Sequence, residues 1–409
     1  MANTLFTVLR KSVSIHYLAR NNNLGLAALY AQDIRQLFVK TAMGLDTFEQ
    51  QREKVKAQMT NISDKFKEKM AEIVTSDSPN MVFTEDLKNM VHLADDDKDI
   101  ELSIKMLKKY NKQNKSLRFG NYIFGPVVMR MLYIHNKADL ALESFKSPDL
   151  SRMFDQYISY QLLLDLLYEN QRYKDILDVF ENIKETQLDG QQYPKNSLVL
   201  VLAACYKMNN QEALDYALNL WVELNKVGHN PMRRATTFCA GLALNQKKPD
   251  VALEILQSAK NQNYTTVRNL KVACLADIGR IYDIIPILKE VLNEDVLPAQ
   301  KQTSTFNRDV LDLVEKALQK TDNSELTVEF TRLVQQLEKL GHISDTPLEN
   351  QLCSEIQKPP INRSQGYQQY EQNFQYRSQD QSLNRNYEPR RQPKYQRQKL
   401  HRPGLTDLV

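Results

Sequence analysis

The sequence contains little glycine and proline: 11 of its 409 residues are Gly and 14 are Pro. Tight-turn β architectures and glycine-rich phosphate loops depend on glycine, and neither GxxxxGK[ST] nor GxGxxG occurs in the chain. Leu, Ala, Lys, Gln and Glu are abundant instead, and these residues favour helices. The composition therefore predicts an all-α protein that binds no nucleotide cofactor, and we expect no cofactor of any kind.

Residues that carry metal or redox chemistry are also sparse. The four Cys include no CxxC pair, and none of the six His lies three or four residues from another. This spacing excludes a helical zinc site and suits a compartment in which thiols stay reduced. The acidic run at residues 95–97 could hold the cation of a nuclease, but a lone run between helices is expected to be solvated. We predict that the protein is not an enzyme and has no metal site.

Long apolar runs are absent, since the longest, Leu198 to Tyr206, has nine residues and a membrane-spanning helix needs roughly 20. We therefore predict no membrane span. Residues 1–32 contain no Asp or Glu but include Arg10, Lys11 and Arg20 among Ser, Thr and Asn. Apolar side chains recur there every four residues, at Leu5, Leu9, Val13 and Tyr17. This pattern is typical of a mitochondrial presequence, and an ordinary chain terminus is the alternative.

Residues 33–115 have the pattern of charged, amphipathic helices. Apolar side chains between Phe48 and Ile73 are spaced by threes, fours and sevens, and similar patterns cover Phe83 to Met90 and Ile100 to Tyr110. We interpret this region as a helical cap.

An internal repeat begins near residue 116. Five segments place two small or branched apolar residues three positions before a bulky one, and they start at Ala141, Ile176, Ala217, Ala252 and Ile284. Their spacings of 35, 41, 35 and 32 residues are typical of stacked helix pairs. A second apolar helix and a polar break precede each one, and the breaks are at Asn136, Asn170, Asn209-Asn210, Asn245 and Gly279. We predict an α-solenoid of helix-turn-helix units over residues 116–320.

The first helices of three successive units each carry one cysteine. Cys205, Cys239 and Cys274 are 34 and 35 residues apart. We interpret them as small buried side chains that allow helices to approach closely, since a metal site needs its ligands clustered.

The composition changes toward the end of the chain. We predict a capping helix within residues 321–352, formed by Leu326 to Leu340 and ended by Gly341, and a disordered tail over residues 353–409. Residues 358–409 hold 10 Lys or Arg and 4 Asp or Glu, a net charge of +6. Cations such as Arg390 and Arg391 alternate there with rings such as Tyr387 and Tyr395. This mixture favours loose binding of single-stranded RNA, with a merely solubilising extension as the alternative.

Several motifs resemble the pentatricopeptide repeat family rather than the tetratricopeptide family, whose Trp and Gly-Tyr positions are missing. They are Gly228 to Pro231, Leu297-Pro298, Gly279 to Ile284, Gly120 to Pro126, Ala204 to Lys207 and Arg233 to Gln246. The resemblance covers roughly residues 35 to 345. It implies an RNA-binding protein of the mitochondrial matrix, without catalytic activity of its own, that acts in the maturation of mitochondrial transcripts and so supports the respiratory chain.

In such arrays, a side chain near the start of each first helix and the last residue of the unit contact one RNA base. Alignment of the units places Gln161, Thr237 and Asn269 at the first position, and Lys195, Tyr264 and Ala299 at the second. The second residues depart from the family pattern, so no base code can be assigned. Arg233 and Arg234 begin a first helix, where at least one could contact phosphate or both could be simply solvated.

The sequence therefore predicts a matrix protein that binds single-stranded mitochondrial RNA in a continuous inner groove. A separate nuclease or the mitochondrial ribosome is the further partner to expect. The alternative is an adaptor whose concave face binds protein on the mitochondrial ribosome or in a processing complex.

Overall fold

The computed structural model describes residues 37–75, 80–117, 122–292, 305–321 and 323–355. The candidate presequence and nearly all of the tail lie outside these residues. The limits of the five regions defined above stay predictions. Among the described residues no helix has the length and apolar character needed to cross a bilayer.

Five helices form the N-terminal region: α1 Lys40–Met43, α2 Leu45–Met59, α3 Ser63–Val74, α4 Thr84–Leu93 and α5 Asp97–Leu117. The apolar pattern from Phe48 to Ile73 is divided between α2 and α3 by a turn at residues 60–62. Residues 94–96, which include part of the acidic run, separate α4 from α5.

Six antiparallel helix pairs follow: α6 Gly125–Ile134 with α7 Ala138–Lys146, α8 Tyr157–Glu169 with α9 Tyr173–Thr186, α10 Lys195–Met208 with α11 Gln211–Lys226, α12 Arg233–Asn245 with α13 Pro249–Gln257, α14 Thr265–Ile278 with α15 Ile284–Leu292, and α16 Arg308–Thr321 with α17 Ser324–Lys339. Each first helix contacts its own second helix and the first helix of the next pair. This is the connectivity of an α-solenoid, as the repeat predicts.

The two helices of a pair differ in burial. The second helices are amphipathic: in α9 the buried side chains are Ile176, Val179, Phe180 and Ile183, at the spacing of one helical face. The central first helices are covered on nearly all sides, and every residue from Ser197 to Tyr206 in α10 is buried, whereas the last first helix, α16, buries one face only. First helices therefore form an inner layer, and other parts of the chain must cover the face that is turned away from the second helices.

Left-handed residues close the turns between first and second helices. In the first five pairs, Asn136, Asn209 and Gly279 of the predicted polar breaks adopt positive φ, whereas Gln171 and Lys247 do so in the turns that follow Asn170 and Asn245. Asn170 instead donates a hydrogen bond to Oδ1 of Asn136 in the preceding turn, over 2.6 Å. The polar breaks were located correctly, but the exact residue that reverses the chain was not.

The chain after α17 turns back along the array. Residues 342–355, which we call the strap, contain strand β2 Ile343–Ser344 and the short helix α18 Leu348–Leu352. Strand β2 pairs in parallel with β1 Phe306–Asn307, which precedes α16. The predicted capping helix is α17, and Gly341 follows it in a left-handed conformation.

Two clusters of apolar side chains form the core, and α14 contributes to both. Val267, Leu270 and Cys274 belong to the cluster that extends toward the N-terminus. Val272 and Leu275 belong to the cluster that α15, α16 and α17 complete. Because α14 has apolar side chains on opposite faces, the last two pairs are continuous with the rest of the array.

Candidate nucleic-acid interface

The inner face of the first helices is the surface on which the sequence predicts RNA contacts. Segments from both ends of the described chain cover it. At the N-terminal end, Leu37 and Met43 are completely buried, and α1 and α2 contact α8 and α6 respectively. Arg130 of α6 donates from Nε to the carbonyl oxygen of Met43 over 2.9 Å.

The strap covers the other end of this face, beginning at α16. The Phe306 N–H donates to the carbonyl of His342 over 2.8 Å, and Asn307 Nδ2 donates to the carbonyl of Thr346 over 2.7 Å. The Leu348 N–H donates to Oδ2 of Asp309 over 2.8 Å. The start of α16 therefore holds the first half of the strap by hydrogen bonds.

The second half of the strap crosses α14, α12 and α10. Helix α18 contacts α14 and α12, and Glu349 forms an ion pair with Lys207 of α10 at 2.7 Å. Arg234 at the start of α12 donates to the carbonyl of Leu352 and, over 3.0 Å, to Oγ of Ser354. The strap thus spans four successive first helices.

The three candidate base-reading residues lie beneath these segments or between helices. Asn269 is completely buried: its Nδ2 donates to the carbonyls of Thr265 and Thr305, and its Oδ1 accepts from the Asn307 N–H. Gln161 is buried between α8 and α10, where its Oε1 accepts from Asn196 Nδ2 over 2.8 Å.

Thr237 is also buried, and its hydroxyl donates to the carbonyl of Arg234 over 3.0 Å. It lies on the helix face between Arg234 and Gly241, and both of these residues are close to the strap. All three candidates face the interior of the array, as the alignment of units requires, and all three already have protein partners. Their contact with RNA stays a prediction.

The two adjacent arginines of α12 have different environments, and neither is simply solvated. The guanidinium of Arg233 lies over the ring of Tyr264, 3.1 Å from the ring centroid. Arg234 is directed at the strap, and burial together with the neighbouring Arg233 lowers its pKa. The other four predicted RNA-contacting residues, Arg390, Arg391, Tyr387 and Tyr395, lie outside the described residues.

A cleft of about 700 Å³ remains open beside the strap. Lys247, Lys316 and Lys320 lie on its walls together with Asp277, and Tyr206 and Leu313 supply apolar surface. Because both basic and acidic side chains line the cleft, its lining does not indicate whether a ligand would be an anion or a cation.

A buried acidic cluster lies where α6 meets α8. The Tyr133 hydroxyl is 2.8 Å from Oδ2 of Asp165 and 2.6 Å from Oε1 of Glu169. Asp165 is completely buried, and this burial, with the nearby Glu169 carboxylate, raises its pKa to about 8. The Tyr133 hydroxyl has one hydrogen and can donate to only one of the two carboxyl groups. If Asp165 is protonated, it donates to the Tyr133 oxygen, and the Tyr133 hydroxyl donates to Glu169.

The remaining chemical candidates are structural. Cys205, Cys239 and Cys274 are all buried, as predicted, and burial raises the pKa of the Cys205 and Cys274 thiols to about 12. Of the acidic run, Asp95 pairs with Lys56 at 2.8 Å and Asp97 with Lys137 at 2.8 Å. Within the described ranges, no three His, Cys, Asp or Glu side chains come together as a metal site would require.

Sequence reasoning missed the residues that hold the strap. Lys207 belongs to one of the motifs that resemble the family, but nothing local relates it to Glu349, which is 142 residues away. Arg308, which pairs with Asp345 at 2.7 Å and with Glu338 at 3.1 Å, was not singled out at all. The one available signal was composition, because residues 342–355 contain three acidic residues and no Lys or Arg.

Comparison with known proteins places the chain near one group. No protein-family profile matches it. It is 25% identical over 273 residues to pentatricopeptide repeat-containing protein 2, mitochondrial, of Xenopus laevis, a match that covers 67% of this chain and 70% of the relative. The Homo sapiens protein of the same name is 24% identical over 319 residues, covering 78% of this chain and 80% of the relative. The resemblance predicted from the motifs is therefore confirmed.

Among solved structures, the pentatricopeptide repeat protein PPR10 from maize matches with a TM-score of 0.34 and 16% identity. That match covers 72% of this chain and 43% of the maize chain.

Proposed function

From its similarity to mitochondrial pentatricopeptide repeat proteins, we propose that this chain is a mitochondrial RNA-binding factor. It would act in the matrix on the maturation or stabilisation of mitochondrial transcripts and so support the respiratory chain. The observation that carries the proposal is the stack of helix pairs, in a chain that resembles these relatives over two thirds of its length or more. The chain would present the transcript, and a separate nuclease would cut it.

The inner face carries cations and rings suited to a nucleic-acid strand. Lys207, Arg234 and Arg308 all point at the strap, and Arg233 is stacked on Tyr264. Lys and Arg neutralise phosphates, and tyrosine rings stack on bases. Base contacts by Gln161, Thr237 and Asn269 form the finer part of the proposal, and they require the covering segments to move.

The tail would supply a second, less specific contact. Its net charge of +6 and its interleaved Tyr and Arg residues, including Tyr387, Arg390, Arg391 and Tyr395, suit backbone contacts and stacking without sequence preference. RNA captured by the tail would be held close to the array because the two are one polypeptide.

A salt series tests this proposal. We expect the full chain to bind single-stranded mitochondrial RNA, and removal of residues 358–409 to weaken all RNAs alike. The slope of log affinity against log salt should flatten by about 0.7 for each phosphate that the tail no longer neutralises. As a matched control, Tyr387→Leu with Tyr395→Leu keeps every charge, so it should lower affinity without changing the slope. Absence of RNA binding at low salt would refute the function.

Base contact by the inner face has its own test. Thr237→Val removes a hydroxyl and keeps the shape of the side chain, whereas Asn269→Ala also breaks the tether to residues 305–307. We expect Thr237→Val to change the relative affinity for RNAs of different sequence. If the order of preference is unchanged, Thr237 does not read a base.

One observation favours a second function. The inner face is already occupied by polypeptide, including a short parallel β pairing and a five-residue helix. A face of this kind suits an adaptor that binds a protein partner of the mitochondrial ribosome or of a processing complex. Crosslinking in intact organelles distinguishes the two functions, because RNA fragments attached to α10, α12 or α14 support the first and peptides attached there support the second.

A further inference from the structure

The strap occupies the part of the inner face on which the proposed function places RNA. We propose that the strap is an internal competitor of RNA: its acidic side chains and carbonyl oxygens occupy the cationic positions that phosphates take when RNA enters and the strap leaves. This inference rests on the proposed function and adds to it a regulation of the same surface.

Charge complementarity is the first support. The strap contains Asp345, Glu349 and Glu355 and no Lys or Arg. Asp345 pairs with Arg308 at 2.7 Å, and Glu349 pairs with Lys207 at 2.7 Å. These cations lie on α16 and α10, so the strap neutralises separate first helices as an extended anionic chain would.

Arg234 provides the second support because its partners are oxygen atoms of the strap. Its guanidinium donates to the carbonyl of Leu352, to the Ser354 hydroxyl at 3.0 Å and to the carbonyl of Glu355 at 3.4 Å. A half-buried guanidinium is best satisfied by acceptors around it, and phosphate oxygens fit the same fork geometry. If the strap left without replacement, Arg234 would lose these acceptors.

Gly241 lies where α12 meets both the strap and Tyr206 of α10. An added Cβ at this position would lie 3.4 Å from Leu352 Cδ1 of the strap and 3.1 Å from Tyr206 Cε2. Glycine in a helix interior is unfavourable by about 1 kcal/mol relative to alanine, so its presence here needs a packing reason. The missing side chain leaves room for the ring of Tyr206, and Leu352 of the strap lies beside it at ordinary van der Waals distance.

The contacts that hold the strap are weak enough to exchange. Leu352 and Cys353 are its only buried residues, and the rest of the strap is partly or fully exposed. The carboxyl groups of the ion pairs are largely exposed, with side-chain exposures of 86% for Asp345 and 59% for Glu349. Exposed ion pairs contribute little to stability and are screened by salt, so a polyanion can replace them.

Two measurements on the full chain test the proposal. The first is RNA affinity of the double variant Asp345→Asn with Glu349→Gln, with poly(U) as the probe. Loosening the strap should tighten RNA binding by about 2- to 30-fold, the range expected when two exposed ion pairs are removed from the competing state. The matched control, Glu101→Gln with Glu329→Gln, removes two carboxylates that pair with Lys105 and Lys289 away from the strap. The affinity of this control variant for poly(U) should change clearly less than that of the double variant.

The second measurement is hydrogen–deuterium exchange of the wild-type strap with and without poly(U). The amides of Leu348, Gln351 and Cys353 are hydrogen-bonded in the closed state, so RNA should accelerate their exchange. If RNA binds while these amides stay protected, or if the double variant binds no more tightly than its control, the competitor role is wrong and RNA binding itself stands. If no form of the chain binds poly(U) at low salt, both the competitor role and the proposed function fail.

Discussion

The buried carboxyl group of Asp165 leads to a specific prediction about the pH dependence of stability. Its Oδ1 has no hydrogen-bond partner among the described residues, and its pKa is raised from 3.8 to about 8 by burial and by Glu169. The folded state therefore keeps a proton that the unfolded chain releases above pH 4. Because the unfolded state binds fewer protons over this window, stability falls as pH rises from about 4 to about 8 and is level above it.

The size of the effect follows from the two pKa values. Each pH unit within the window lowers the free energy of unfolding by about 1.4 kcal/mol, so Asp165 lowers it by roughly 3 to 4 kcal/mol between pH 5 and pH 8. Asp165→Asn replaces the carboxyl group by a neutral one and removes this dependence. Contributions from titratable groups that do not interact with Asp165 cancel in the difference between wild type and variant.

Urea unfolding at pH 5, 6, 7 and 8 measures this difference. The stability of Asp165→Asn relative to wild type should increase steadily toward pH 8. Asp178→Asn, at an exposed position on the neighbouring helix α9, is the matched control and should show no such increase. Parallel pH profiles of wild type and Asp165→Asn would falsify the assignment of a protonated Asp165.

Three further predictions concern stability. Burial and the nearby Arg52 lower the pKa of His92 to about 4, so the contribution of His92 to stability should fall by about 2 kcal/mol between pH 7 and pH 5 as the unfolded chain takes up the proton, opposite in sign to that of Asp165. In the same urea titrations, the stability of His92→Leu relative to wild type should rise by about this amount over that interval. Gly125→Ala would place a Cβ 2.4 Å from the Met153 carbonyl oxygen, so the backbone must shift and thermal unfolding should show a loss of about 1 to 3 kcal/mol. Asn269→Ala leaves the Asn307 N–H without its acceptor, which should cost about 1 to 3 kcal/mol and accelerate amide exchange at Asn307; an unchanged exchange rate would contradict the tether.

Features of the fold that depend on residues close together in the sequence could be predicted. Ile176 and Phe180 lie on one helical face and recur in equivalent form in other units, so the second helices and their stacking follow from local periodicity. The sixth pair was recognised only as a capping helix. Its apolar pair, Leu333-Val334 followed by Leu337, begins 49 residues after Ile284, outside the spacing of 32 to 41 residues that separates the other units. The buried residues of α17, such as Phe330 and Leu337, follow the helical spacing, so its existence was predicted although its place in the repeat was not.

The covering of the inner face could not be predicted in the same way. A polar side chain such as Asn269 at an aligned first-helix position satisfies an RNA base or a protein backbone equally well, and sequence periodicity does not say which is present. Glu349 and Lys207 are 142 residues apart, and no sequence pattern predicts that they form an ion pair. The partial burial of Arg234 likewise depends on where the chain returns after Gly341, which helix propensities do not determine.

The return of the strap across α16, α14, α12 and α10 also has a mechanical consequence. A solenoid whose units touch only their neighbours behaves like a spring, whose pitch and curvature change at small cost. The strap joins the last pair to helices that lie two and three pairs before it, so this part of the coil resists extension while the strap is seated. Release of the strap would restore the elasticity of the coil, and the curvature of the array could then adapt to the length of the RNA or peptide bound along its inner face.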